Sequence, residues 1–219
     1  MIRKFILLIV IACTGANAAA QSSVDAAGEA LVNHFIRDVI TLQGRFEQSL
    51  IDAEGNVVEV MSGTLEIERP TRFRWSYDEP YEQWLIADGL NVWSYDLDLQ
   101  QVTVKPQRKA LANTPALLLG GAEDALAQFD FGGTTVEEFT TWVRLDPKDE
   151  NSSFNRIELG FIDGELRRMV FFDNLQQTTL VALSDVTINE PINAERFEFS
   201  PPEGVDVVGV PVTAEVSDL

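Results

Sequence analysis

The chain has 219 residues, 45% hydrophobic and 23% charged, which excludes a disordered tract and fits one globular domain large enough to bury a core without staples. Its formal charge of -19 makes a surface that repels phosphates, so nucleic acid and anionic lipid headgroups are poor partners, whereas a basic protein patch would be attracted. One cysteine, Cys13, and one histidine, His34, exclude a disulfide framework and a Cys/His metal cluster.

In chain order, Arg3-Lys4 precede an apolar run, Phe5 to Ala12, and then Ala16-Asn17-Ala18. This is the layout of a secretory signal peptide with an A-x-A cleavage site, so residues 1–18 are expected to be a leader and 19–219 one mature domain. The apolar run is too short for a permanent membrane span. Cleavage after Ala18 would remove Cys13 and with it the only thiol. In the alternative, Val10-Ile11-Ala12-Cys13 is a lipoprotein-type processing site that leaves Cys13 as an acylated anchor; the good A-x-A site favours the leader.

From Asp25 to about Leu42, Val32, Phe35, Ile36, Val39 and Leu42 recur at spacings of three and four, which predicts an amphipathic helix. His34 falls between these positions, and with no second histidine to join it, a surface role is expected. After Gly44 the period becomes two, in segments near 45–51, 57–69, 72–77, 82–87, 91–97 and 100–104, split by turn signals at Glu54-Gly55-Asn56 and Asp88-Gly89. An antiparallel meander is predicted. Leu65, Ile67 and Arg69 share one parity of a strand, so the face that takes two apolar side chains also takes an arginine. Pro70 ends that strand, and in the next Phe73, Trp75 and Tyr77 alternate with Arg72, Arg74 and Ser76. Trp84-Leu85-Ile86-Ala87 is apolar on both parities and should be covered on both sides.

Between Pro106 and Phe131 a helical signal returns. Asn113-Thr114-Pro115 reads as a helix start, Ala116-Leu117-Leu118-Leu119 as its body and Gly120-Gly121 as its end and a hinge; a second short helix is expected over Glu123–Phe129. Helices this short must rest their apolar residues on the sheet. Strands resume near 134–146, 154–162, 165–173 and 177–188, and a short strand at Phe197–Ser200 stops at Pro201-Pro202, ahead of a loose acidic tail from about residue 212.

Little here supports catalysis. Only His34 could act as a histidine base, the acidic loops lack a calcium-loop register, and Glu66 and Glu68 share a strand face that reads as solvated, opposite Leu65 and Ile67. No cofactor or metal is expected, and the chain does not read as an enzyme. What stands out is a sheet with aromatic concave-face candidates, Phe46, Phe73, Trp75, Trp84, Trp93 and Tyr95, and an inward Arg69 whose charge needs partners. Carbonyls at the end of the helix near residues 115–119 could supply them.

These residues, in their order and spacing, resemble a known family. Arg69-Pro70 with Phe73-Arg74-Trp75, then Ala87-Asp88-Gly89 with Val92-Trp93-Ser94-Tyr95-Asp96, then Asn113-Thr114-Pro115, and Phe199-Ser200-Pro201-Pro202-Glu203-Gly204-Val205 are similar to the periplasmic outer-membrane lipoprotein carriers of the LolA family, over about Val32 to Val207.

The resemblance implies a mainly β fold with α: an unclosed antiparallel β-barrel, covered by an N-terminal helix and a short helical lid, enclosing a hydrophobic cavity. The cavity would receive acyl chains and be lined by Val32, Phe35, Ile36, Val39, Phe46, Leu65, Ile67, Phe73, Trp75, Trp84 and Trp93. Pro115, Leu117, Leu118 and Leu119 would form the lid, held shut by hydrogen bonds from Arg69. The implied partners of this monomer are triacylated lipoproteins, a lipoprotein-releasing ABC transporter of the inner membrane and an outer-membrane receptor. A receptor of the same fold, anchored through Cys13, and a periplasmic lipid-acting enzyme are the alternative readings.

Overall fold

A computed structural model describes residues 14–111, 118 and 125–213. Helix α1 spans Thr14–Arg37, so it begins well before Asp25, in an alanine-rich stretch of strong helix formers. It also ends earlier than its apolar periodicity suggests. The β-branched run Val39-Ile40-Thr41 favours extended backbone, and Leu42 already lies on the first strand, β1 (Thr41–Ile51). Val39 and Leu42 are nevertheless buried in the same core as Val32, Phe35 and Ile36, which is why the helical spacing runs on past the helix.

The meander follows as β2 (Val57–Glu68), β3 (Arg72–Glu79), β4 (Gln83–Asp88), β5 (Asn91–Asp96) and β6 (Gln101–Pro106). A short helix, α2 (Gln107–Leu111), leaves β6. The expected lid residues Pro115, Leu117 and Leu119 and the Gly120-Gly121 hinge lie outside the described residues, whereas Leu118 is described and buried. The second expected helix shrinks to a 3-10 turn, Ala125–Gln128, because strand β7 (Phe129–Glu137) takes up the residues after it.

The segment expected as one strand over 134–146 is two, β7 and β8 (Thr140–Pro147), with a reversal at Glu138, whose φ is +52°. Gly132 and Gly133 sit inside β7 at a register shift, Gly133 with φ +113°, a value that favours glycine. The strands β9 (Phe154–Ile162), β10 (Glu165–Asp173) and β11 (Thr178–Ile188) match their expected segments. Phe197 belongs to a 3-10 turn, Ala194–Phe197, and the final strand is instead β12 (Asp206–Val208).

All twelve strands form one sheet in the order β12-β6-β5-β4-β3-β2-β1-β11-β10-β9-β8-β7. Every neighbour is antiparallel except β12, which runs parallel to β6. Because β7 and β12 end the order without pairing to each other, the barrel is unclosed. An open edge invites pairing with foreign strands. Side chains of α1 cover part of the β7 edge: the Thr134 backbone N–H donates to Asp25 Oδ1 at 2.8 Å, and Gln21 Nε2 donates to the Thr134 carbonyl at 3.2 Å.

The two faces of the sheet bury different things. The concave face holds the main core, built from α1, β1–β5 and β8–β11. The convex face over β4–β6 carries a separate cluster, Ile86, Trp93, Val102 and Val104 with Trp84 and Tyr95, covered by Phe199 and Val205 of the C-terminal segment. The two-sided apolarity of Trp84-Leu85-Ile86-Ala87 is thereby explained: Leu85 and Ala87 face the first core, Trp84 and Ile86 the second. Val212 is tied to β5: Asn91 Nδ2 donates to the Val212 carbonyl at 2.9 Å and the Val212 N–H donates to Asn91 Oδ1 at 2.7 Å, while residues 214–219 of the expected acidic tail lie outside the described residues.

Candidate functional site: an apolar wall and an arginine at its rim

Strand register lays the concave wall out in rows. One row crosses Leu42, Ile67, Phe73, Ala87 and Val92; the next crosses Gly44, Leu65, Trp75 and Leu85; a third brings Phe46 opposite Gly63 and next to Tyr77. Gly63 makes room for the aromatic group, because a Cβ there would meet Phe46 Cε1 at 3.0 Å and the Ser76 carbonyl oxygen at 1.9 Å. Phe46 lies with its centroid 4.9 Å from Trp75 and 5.1 Å from Tyr77, tilted and edge-on arrangements that suit the quadrupoles of the rings.

Val32, Phe35 and Ile36 of α1, with Val39 just past its end, close the wall from the concave side. Between Phe35, Val39 and Leu42 of this region and Leu166, Val186 and Ile188 of β10 and β11 lies a crevice of about 30 Å³, room for about one water.

Two polar side chains interrupt the wall. Tyr77 donates its hydroxyl proton to Gln48 Oε1 at 3.3 Å, and burial, aided by the Glu59 carboxylate, pushes its phenol up to about 12. Trp75 has an indole N–H that is buried and meets no acceptor among the described residues.

Arg69 stands at the rim, one residue past β2, with the parity of Leu65 and Ile67 as expected. Its Nε donates to the Val39 carbonyl at 3.0 Å, and both terminal nitrogens donate to the Leu118 carbonyl at 3.3 Å. The guanidinium also lies 4.9 Å from the Phe35 ring centroid, while the Arg69 backbone N–H donates to the Ile40 carbonyl at 2.8 Å. Burial pushes the side chain down to about 10, which leaves it charged at neutral pH. Planar donors aimed at carbonyls satisfy the cation without a carboxylate, so the contact carries no ion-pair partner that must be desolvated with it. The Leu118 carbonyl lies within residues 115–119, where the sequence places candidate partners for Arg69; the Val39 carbonyl and the Phe35 ring carry no such signal, because they depend on where α1 stops.

Several expected site residues lie elsewhere. Trp84 and Trp93 are on the convex face, not the concave wall: Trp93 packs 5.5 Å from Phe199, and its indole N–H donates to Asp88 Oδ2 at 2.7 Å. The physical reason is parity, since Ile86 pairs with Trp93 and Arg74 with Ile86, all on the side opposite Trp75. Glu66 is not on a solvated face either. Arg196 of the C-terminal segment covers it with three hydrogen bonds of 2.6 to 3.1 Å, and Glu68 pairs with Arg72 at 2.7 Å. Conversely, the concave face of β8–β11, including Val143, Leu159, Met169 and Val181, belongs to the same core and was left out of the expected wall. Its signal was present as plain apolar alternation, without the aromatics that singled out β3.

The geometry joins an apolar, partly aromatic wall to a polar contact made by Arg69 at its rim. Among the described residues no three His, Cys, Asp or Glu side chains gather as metal ligands, and no helix is long and apolar enough to cross a membrane.

Comparison with known proteins agrees with this arrangement. The family model described as outer membrane lipoprotein carrier protein LolA matches residues 37–200. An outer-membrane lipoprotein carrier protein of Nitrosomonas europaea is 41% identical over 80% of this chain and 85% of its own length. Its counterpart in Halorhodospira halophila is 40% identical over 94% of this chain and 95% of its own. In structure, an uncharacterized conserved protein from Thermus thermophilus superposes with a TM-score of 0.52, at 14% identity, over 86% of this chain and 99% of that one, a likeness of fold alone. With the family model matching three quarters of the chain and relatives above 30% identity along most of it, this protein belongs to the LolA family of outer-membrane lipoprotein carrier proteins.

Proposed function

We propose that this protein carries lipoproteins through the periplasm by seating their acyl chains on the concave wall, beneath α1 and the segment that contains Leu118. The observation that carries the reading is the Arg69 contact: one cation at the rim of an apolar interior, held by carbonyls of the α1–β1 connection and of Leu118 and lying against the Phe35 ring. Each acyl methylene withdrawn from water contributes about 0.8 kcal/mol, so a triacylated protein needs a covered apolar seat to travel in water. It must also be released. Apolar contacts have no directional bonds to break, and hydrogen bonds from a charged donor, about 1.5 to 3 kcal/mol each, bias closure without trapping the cargo.

In this role the chain is exported by removal of residues 1–18, with 19–219 acting as one monomeric unit. It is loaded by an inner-membrane ABC transporter and unloaded at an outer-membrane receptor. Val32, Phe35, Ile36, Val39, Phe46, Leu65, Ile67, Phe73 and Trp75 form the seat, Leu118 belongs to the lid, and Arg69 is the latch. Two measurements test the reading. The purified protein should release a triacylated lipoprotein from spheroplasts as a one-to-one complex, and no release would defeat it. Mass spectrometry should find a mature N-terminus at Ala19; an acylated Cys13 would instead favour an anchored receptor.

A further inference from the structure

Trp75 sits at the centre of the concave wall, paired with Leu65 of β2 and Leu85 of β4, and it is only 7% exposed. Buried tryptophans almost always find an acceptor for the indole N–H. The other polar aromatics with comparable opportunity do so: Tyr77 on the same wall donates to Gln48 Oε1, and Trp93 on the convex face donates to Asp88 Oδ2. The Trp75 N–H has no acceptor among the described residues, although Phe46 and Tyr77 stand beside its ring. An unpaired buried donor lowers stability, and the N–H itself adds nothing to apolar packing. It becomes useful when something that enters the wall brings an acceptor.

We propose that Trp75 Nε1 donates a hydrogen bond to an ester carbonyl oxygen of the bound acyl glycerol, the group that joins each fatty chain to its polar backbone. Three features select this acceptor class. The donor is single and neutral, which suits a neutral carbonyl. A carboxylate would need a cation, and the buried Arg69 guanidinium is already committed to the Val39 and Leu118 carbonyls. The surroundings, Leu65, Phe46 and Leu85, accept alkyl chain on either side of the carbonyl. The bond fixes how deep the chains enter and discriminates acyl esters from hydrocarbon or ether lipids of equal length. This inference rests on the reading of the concave wall as an acyl-chain seat.

The test compares two neutral probes, 1,2-dioctanoylglycerol and its 1,2-dioctyl ether analogue, by displacement of Nile red from the full mature chain. The wild-type protein should bind the diester about fivefold tighter than the diether, the worth of one hydrogen bond of about 1 kcal/mol. Trp75→Phe should lose this preference, binding diester and diether with equal affinity whatever the overall strength of binding. A preference retained in Trp75→Phe, or none in the wild type while both probes bind, overturns the inference and leaves the acyl-seat reading standing. If neither probe binds, both fall together. A second readout is independent of the folding of that variant. In the wild-type protein the indole N–H resonance of Trp75, assigned by single substitutions of Trp84, Trp93 and Trp142, should move downfield with the diester and not with the diether. Equal shifts with both probes would count against a carbonyl acceptor.

Discussion

Both terminal nitrogens of Arg69 donate to the single carbonyl oxygen of Leu118 at 3.3 Å, while Nε of the same side chain holds the Val39 carbonyl at 3.0 Å. One guanidinium thus ties the segment around Leu118 to the end of α1. Arg69→Leu keeps the apolar wall but removes every one of these donors. Acyl-chain binding should therefore stay within a few-fold of wild type while lipoprotein transfer to the receptor falls at least about tenfold, since hydrogen bonds to a charged donor are worth about 1.5 to 3 kcal/mol each. Arg69→Lys, with a point charge in place of a fork, should be intermediate. Normal transfer by Arg69→Leu in a spheroplast and outer-membrane assay would end the latch role.

Tyr77 gives a pH signature. Burial and the Glu59 carboxylate raise its phenol from 10.0 to about 12 in the folded protein. For an acid whose folded value lies above its unfolded one, the folded state holds the proton longer. The associated stability is complete below pH 10 and is lost as pH rises from 10 to about 12, by at most about 3 kcal/mol. Denaturant titrations across that window should show a shallower loss in Tyr77→Phe, and the ultraviolet phenolate band should lose its phase near pH 12. Identical pH slopes in both proteins would contradict the assignment.

The two aromatic faces should separate in mutants. Trp93→Phe removes a hydrogen bond to Asp88 on the convex face and should cost about 1 kcal/mol of stability without altering acyl-chain affinity. Phe73→Ala, in the concave core, should cost about 3 to 5 kcal/mol and also weaken acyl binding. Chemical denaturation paired with Nile red displacement reads both effects; weakened binding in Trp93→Phe would put that residue back in the seat.

The C-terminal segment is fastened to β2 by Arg196 on Glu66, whose side chain is only 12% exposed beneath it. Removing Arg196 alone strips a nearly buried carboxylate of three hydrogen bonds and leaves only the neighbouring Arg74 charge beside it among the described residues, so Arg196→Met should destabilise more than Arg196→Met combined with Glu66→Gln. A double-mutant cycle should return a coupling of about 1 kcal/mol, and a coupling near zero would show that the pair is screened despite its cover.

Much of this arrangement is legible residue by residue. The alternation Leu65, Ile67, Arg69 places the arginine on the apolar face, and Pro70 ends the strand beneath it. The alternation Phe73, Trp75, Tyr77 defines the aromatic wall, because parity within one strand is a local property. Trp84 and Trp93 show the limit of the same logic. Each reads as wall by its residue type, but which parity of β4 and β5 faces inward depends on the register with β3, and a register is a contact between strands distant in sequence. The β7–β8 reversal was hidden because Glu138 and Phe139 carry no glycine or proline to announce it.

The sequence by itself determined the class of the protein: an acidic chain with an antiparallel meander, an amphipathic N-terminal helix and an inward arginine before a proline. The tertiary structure decided what those parts touch. It stopped α1 at Arg37 and brought the Val39 carbonyl to Arg69. It put the C-terminal segment over Trp93 and Glu66, and it left the Trp75 indole without an acceptor among the described residues, inside an apolar wall. Periodicity reports the direction in which a side chain points. Hydrogen-bond satisfaction and burial are properties of the neighbours that arrive there, and those come from elsewhere in the chain.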